Sequence, residues 1–312
     1  MSHPLPISRW AGAGLRNLDD VIRVVTAAVD GGFAGVWIPQ TTSVDALTAI
    51  AVAAREVPDI PIGTAVVPIQ GRHPIPLAQQ AITTALAAGS GRFTLGVGVT
   101  HRVLSEGFYG ISYDRVVALC EEQLTAMHGL LGPGRSASHE GRWLTARAKL
   151  DIDEIAVPVV LAALGPRMVE IAGRWADGTV TWMTGPRSLA GDIVPGLRRA
   201  AEAAERPSPR VIAGLPVCVT DDVAGARDRF RPALLGAMAL PSYARMMARE
   251  GFDDPAELGL VGDEAAVSER IEQLAVIGVT ELLANVVGSP EEQARTIAHL
   301  GTPSRWNRPS ST

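Results

Sequence analysis

Short apolar runs alternate with longer segments of helical spacing along almost the whole chain. The apolar runs are Ala34 to Ile38, Pro61 to Val67, Arg92 to Gly98, Val159 to Ala163, Thr179 to Met183, Val211 to Val219 and Glu281 to Val287. They are continuous, as in strands covered on both faces by helices in a parallel sheet. Helical spacing marks Val21 to Val29, Ser43 to Arg55 (with Ser43 as its cap), Pro74 to Gly89 and Tyr113 to Leu131. It returns in Pro166 to Trp175, Arg187 to Ala204, Asp263 to Ile277 and Pro290 to Leu300. An eighth strand must come from the weaker segment Leu5 to Trp10. Eight such units predict a closed (β/α)8 TIM barrel. An open doubly wound sheet is the alternative, but no Gly-x-Gly-x-x-Gly follows the first strand.

Two stretches break the rhythm. Gly132 to Val157 predicts a short hairpin around His139 to Thr145, and Asp221 to Leu258 is irregular and helix-rich. They are expected as insertions after the fourth and seventh units, about 132–157 and 221–258, of one barrel domain spanning 1–312. Both are expected to shape a lid.

Composition narrows the function. With 312 residues, 47% hydrophobic, the chain is long enough for one large core. A net charge of −5 and the lack of a basic run argue against nucleic acid or an anionic membrane as partner. No apolar run has membrane-spanning length, and Met1 to Trp10 lacks a signal-peptide pattern, so a cytoplasmic protein is expected. Cys120 and Cys218 lie far apart in apolar stretches and predict buried thiols; no zinc spacing exists, and no metal is expected. Lys149 is the sole lysine. That bias fits a GC-rich genome such as an actinobacterium's. It leaves no lysine for a phosphate-binding P-loop or a Schiff base.

In a barrel the chemistry sits at the C-terminal ends of the strands. His101 is the one histidine directly at such an end, so it either acts as a general acid near neutral pH or only holds a loop. Gly96 and Gly98 allow something to approach the backbone closely. Ala65 to His73 either presents a bulged apolar surface to a flat ring or simply leaves the barrel. Leu164-Gly165-Pro166-Arg167-Met168 opens a helix, as an anion site or as an ordinary turn. Trp37 and Trp182 end strands, where they would wall a planar ring or pack in the core.

The same segments carry a family resemblance. Gly63-Thr64-Ala65-Val66-Val67-Pro68, followed by Gly71-Arg72-His73-Pro74, resembles the third-strand signature of luciferase-like monooxygenases. Phe93 to His101 resembles their fourth strand. Ala162 to Met168 and Ala176 to Pro186 are similar to an actinobacterial branch that depends on coenzyme F420. With Val261-Gly262-Asp263, the resemblance runs from Leu18 to Leu300.

The resemblance implies an oxidoreductase that passes hydride between the deazaflavin F420, or alternatively FMN, and a small organic substrate. It implies cofactor contacts at Trp37, Gln40, Ala65, Val66, Gly98, Val99 and Thr100. The turn of Ala163, Leu164, Gly165, Pro166, Arg167 and Met168 would receive the phosphate. The bond matching Ala65–Val66 is often a non-prolyl cis peptide in this family. His101 becomes the proton donor, Trp182, Met183 and Thr184 the substrate pocket, and a homodimer the expected assembly. Two departures matter. Trp37-Ile38-Pro39-Gln40-Thr41-Thr42 lacks the acid or histidine that alcohol-oxidising relatives carry after the second strand, which points to reduction of a C=C or C=N bond. The first strand, Pro4-Leu5-Pro6-Ile7-Ser8-Arg9-Trp10, is broken by proline. An FMN-dependent monooxygenase and a catalytically inactive ligand-binding relative are the competing readings.

Overall fold

A computed structural model describes residues 3–301, apart from 13 and 239. Eight parallel strands close on themselves: β1 (Ile7–Trp10), β2 (Gly35–Ile38), β3 (Ile62–Thr64), β4 (Phe93–Gly98), β5 (Val159–Ala162), β6 (Gly178–Trp182), β7 (Arg210–Val219) and β8 (Glu281–Val286). Closure comes from β1 pairing with both β2 and β8, with Ile7 opposite Leu282 and Ser8 opposite Gly35. The prolines of the first segment do not interrupt this ladder. Pro4 and Pro6 precede the strand, and the Pro6 carbonyl accepts from the Leu282 N–H at 3.1 Å.

The third apolar run divides. β3 stops at Thr64, the Ala65–Val66 peptide is cis, and Val67–Pro68 then pairs with the end of β4. The chain therefore kinks at the mouth of the barrel. Two helix starts differ from expectation. Asp45, rather than Ser43, caps the helix Ala46–Glu56, its carboxylate accepting from the Thr48 N–H at 2.9 Å. The fourth helix begins at Val116, after a separate short helix, Arg102–Gly107.

The first irregular stretch forms an antiparallel hairpin, Ser136–Glu140 with Thr145–Lys149, packed on the helix Val116–Leu131. The second holds the helices Val223–Met238 and Pro241–Glu250, then a 3-10 turn, Pro255–Leu258. It lies inside the seventh unit rather than after it, between β7 and the helix Glu264–Ile277. That position puts it on the C-terminal face of the barrel, where the strand-to-helix loops emerge.

Two cores hold the fold together. A large one fills the space between strands and outer helices, and includes both cysteines as free, buried thiols. Burial pushes the Cys120 thiol up to about 12 and the Cys218 thiol up to about 11, which makes both poor nucleophiles. A smaller core fills the barrel axis with Trp37, Val160, Val180, Ile212 and Leu283, so the barrel is packed and not a pore. Among the described residues, no helix is long and apolar enough to cross a membrane, and no cluster of metal-ligating side chains occurs.

Candidate active site

A cavity of about 610 Å³ opens at the C-terminal end of the barrel, a size typical of small-molecule sites at roughly 300–1,000 Å³. Its floor is the upper layer of the axial core, Trp10, Ala162, Val180 and Leu283, with Trp182 beside Trp10. The rings of Trp10 and Trp182 lie 4.8 Å apart at a 36° tilt and form a continuous aromatic surface. One wall is the kinked segment, Ala65, Val66 and Pro68, continued by Gly98, Val99 and Thr100 at the end of β4. The opposite end is the turn Ala163 to Met168, and Ser242, Tyr243 and Arg245 reach in from the helix Pro241–Glu250.

Gly96 and Gly98 build the wall. A Cβ on Gly96 would lie 1.8 Å from the Thr64 carbonyl oxygen. One on Gly98 would lie 2.9 Å from both Ala162 Cβ and Val66 Cγ2. The missing side chains let β3 and the kink press against β4. Thr64 stitches that contact, its hydroxyl donating to the Gly96 carbonyl at 2.7 Å and accepting the Gly96 N–H at 2.8 Å. The buried Gln70 accepts from the Thr100 N–H at 3.0 Å and so holds the loop that leads to His101.

Gly165 differs from both. Nothing lies within 4 Å of the position a Cβ would take, so this backbone faces open space. It caps the helix Pro166–Trp175 without a side-chain hydrogen bond, and the first N–H groups of that helix are free to meet an anion. Exposed Arg167 adds positive charge. Among the described residues the lining carries Arg167, Arg245 and His101 but no carboxylate. A flat apolar wall leading to an open helix N-terminus with arginines is a donor set that fits a planar ring with an anionic tail.

His101 sits at the start of the helix Arg102–Gly107, and its ring nitrogens have no partner among the described residues. Burial lowers its pKa, so the imidazole is neutral near pH 7 in the absence of a nearby anion. Its ring lies 5.6 Å from that of Tyr243. Burial pushes the Tyr243 phenol up to about 12. Tyr113, also in the lining, is raised by burial against the opposing pull of Arg102.

Gln40, Ala65, Val66, Gly98, Val99, Thr100, His101, Ala163, Leu164, Gly165, Pro166, Arg167, Met168 and Trp182 all line this cavity. Three expected site residues do not. Trp37 lies deeper on the barrel axis, where the bare backbone of Gly63 makes room for its ring and its indole N–H donates to Glu281 at 2.8 Å. Met183 is fully buried in the outer core, one residue past the strand end, where its backbone turns to φ 51°. Thr184 is also fully buried, its hydroxyl donating to the Trp182 carbonyl at 3.2 Å. Gln40 reaches the cavity with its amide already engaged by the Ala46 N–H and the Thr41 carbonyl.

Trp10, at the end of the expected first strand, was not among the expected site residues, although an aromatic at a strand end was the signal that could have found it. Tyr243 and Arg245 come from a stretch with no pattern that points to the site. The hairpin 136–149 contributes nothing to the cavity lining, so only the second irregular stretch roofs it.

A model of the luciferase-like monooxygenase family matches residues 2–302. The chain belongs to this family. A Mycobacterium tuberculosis protein that carries the name of a coenzyme F420-dependent oxidoreductase is 26% identical, with 89% of this chain and 93% of that protein covered. The 5,10-methylenetetrahydromethanopterin reductase of Methanolobus tindarius is 24% identical over 84% of this chain and 89% of its own length. Among solved structures, an F420-dependent secondary alcohol dehydrogenase in complex with an F420-acetone adduct superposes with a TM-score of 0.78. That pair is 17% identical, with 95% of this chain and 98% of the other covered, and so shows the shared barrel.

Proposed function

We propose that this luciferase-like protein is an F420-dependent oxidoreductase that passes hydride to a small organic substrate, reducing a C=C or C=N bond. The observation that carries the reading is the cavity itself: an apolar kinked wall, an open helix N-terminus beside Arg167, and no carboxylate among the described lining residues. The F420-dependent relatives support the choice of coenzyme.

The ring would lie against Ala65 and Val66, and its phosphate would meet the amides after Gly165 together with Arg167. When bound, the deazaflavin supplies the hydride. The remaining work falls to the chain. Trp10, Trp182, Val180 and Leu283 keep water from the floor, which strengthens every polar contact above them. His101 gives the proton that completes the reduction, because it is the imidazole in the lining. An anionic ring beside it would favour the protonated imidazole and offset the effect of burial. Gln40 stands where an oxidising enzyme would need a base, and its amide cannot accept a proton from an alcohol.

Titration of the purified protein with oxidised F420 and with FMN tests this. F420 should saturate, with FMN at least tenfold weaker. Tight FMN binding without F420 binding would replace the reading with an FMN-dependent monooxygenase. Saturable binding of F420 without turnover of any enone or imine would replace it with an inactive relative.

A further inference from the structure

The helix Pro241–Glu250 is tied down at the end farther from His101. Glu250 is 2% exposed. Its carboxylate accepts from the Ser188 hydroxyl at 2.6 Å, the Ser188 N–H at 2.8 Å and the Arg187 N–H at 3.1 Å. It also packs on Gly185, where a Cβ would sit 2.4 Å from the Glu250 carboxyl carbon. The residues it grips follow β6 directly, so the clamp joins the roof to the strand that carries Trp182. Tyr243 lies seven residues before Glu250, two helical turns and about 10 Å along the same face. Met246 and Met247, between them, are buried on that face. The clamp therefore sets where Tyr243 stands. At that position its ring meets His101, and its hydroxyl has no hydrogen-bond partner among the described residues.

We infer that Tyr243 donates a hydrogen bond to a carbonyl oxygen or imine nitrogen on the substrate, and that Glu250 is the positioning residue that holds it there. The inference rests on the F420 reading and narrows its substrate class to double bonds conjugated with, or ending in, such an acceptor. A donor on a mostly apolar stretch of the cavity discriminates, because a ligand without the matching acceptor displaces water from the hydroxyl and leaves it unpaired. Tyr243 keeps its proton throughout, since burial holds it far above neutrality. The proton that is transferred remains that of His101.

The test uses the full chain, with Tyr243→Phe, Glu250→Gln and the double variant. Cyclohexanone serves as an unreactive acceptor, followed by ligand-detected NMR, and oxidised F420 is titrated separately. Tyr243→Phe should weaken cyclohexanone about tenfold, the loss of one hydrogen bond, and leave F420 affinity within about twofold. Glu250→Gln should weaken cyclohexanone by a similar factor and speed amide exchange in residues 185–188 and 241–250. The double variant should bind no more weakly than Tyr243→Phe alone, because Glu250 acts through Tyr243. Unchanged cyclohexanone binding in Tyr243→Phe, no cyclohexanone binding by the natural chain, or multiplied losses in the double variant would overturn the inference. Tyr243-dependent cyclohexanone binding in a chain that ignores F420 would instead retain it and remove the coenzyme.

Discussion

The indole N–H of Trp37 donates to the carboxylate of Glu281 at 2.8 Å, inside the closed end of the barrel. Arg210 holds the other Glu281 oxygen at 2.7 Å and reaches the Thr94 hydroxyl at 3.1 Å, so one network ties β2, β4, β7 and β8 together. Trp37→Phe removes the donor together with half of the indole, so it also leaves a gap on the barrel axis. It should cost at least about 1–3 kcal/mol, from the unsatisfied carboxylate oxygen and the void together. A lower urea midpoint at unchanged slope checks this, with F420 affinity expected to stay within about twofold.

Gly98→Ala should act in the opposite way, on both stability and site. The new methyl meets Ala162 Cβ and Val66 Cγ2 at 2.9 Å. Overpacking of this kind costs about 1–3 kcal/mol, and the relief available is a shift of Val66 into the cavity. We expect a lower melting temperature together with weaker coenzyme binding, measured by calorimetry and titration.

Gly165→Ser should separate stability from binding. The residue has an extended backbone, φ −86° and ψ 154°, with open space around it, so serine fits without strain. Serine is a better helix cap than glycine by a few tenths of a kcal/mol. Its hydroxyl, however, takes an N–H that an anion would use. The expected result is an unchanged or higher melting temperature with coenzyme affinity reduced about tenfold. Equal affinity would remove this turn from the binding site.

The proposed proton donation by His101 sets the sign of the pH dependence. Burial lowers the pKa of the empty-site imidazole. Groups that share its cavity are the phenols of Tyr243 and Tyr113 and the guanidiniums of Arg167 and Arg245. A reaction that draws on the imidazolium slows as pH rises through that pKa, so kcat/KM for the coenzyme should fall with a midpoint below about 6.5. His101→Gln should flatten the profile. A limb that rises with pH would make His101 a base and reverse the direction of hydride transfer. The same lowered pKa acts on folding: the unfolded chain takes up the His101 proton at higher pH than the folded one. Stability should therefore drop as pH falls from the ordinary imidazole value toward the depressed one.

The barrel was legible because its strands are apolar throughout, a pattern only a doubly covered sheet accepts. The strand ends then pointed to the cavity lining, and Trp182 and the Ala163 to Met168 turn lie there. What could not be read depended on partners distant in sequence. The depth of Trp37 follows from the bare backbone at Gly63 and from an acceptor on the last strand. The close contacts of Gly96 and Gly98 with Thr64, Val66 and Ala162 were likewise hidden. Tyr243 belongs to a helix whose far end is held by the buried carboxylate of Glu250, and nothing in its local spacing records that.

The pairing of β1 with β8 has a consequence for assembly. Trp10 and Leu283 are neighbours on the cavity floor but arrive at opposite ends of synthesis, and Ile7 waits for Leu282 before it has a partner on that side. Every fragment that stops short of the eighth strand carries two unpaired sheet edges and an open seam through its floor. Ligand binding should thus appear only when the ring of strands is complete, which makes it a direct report of barrel closure during refolding.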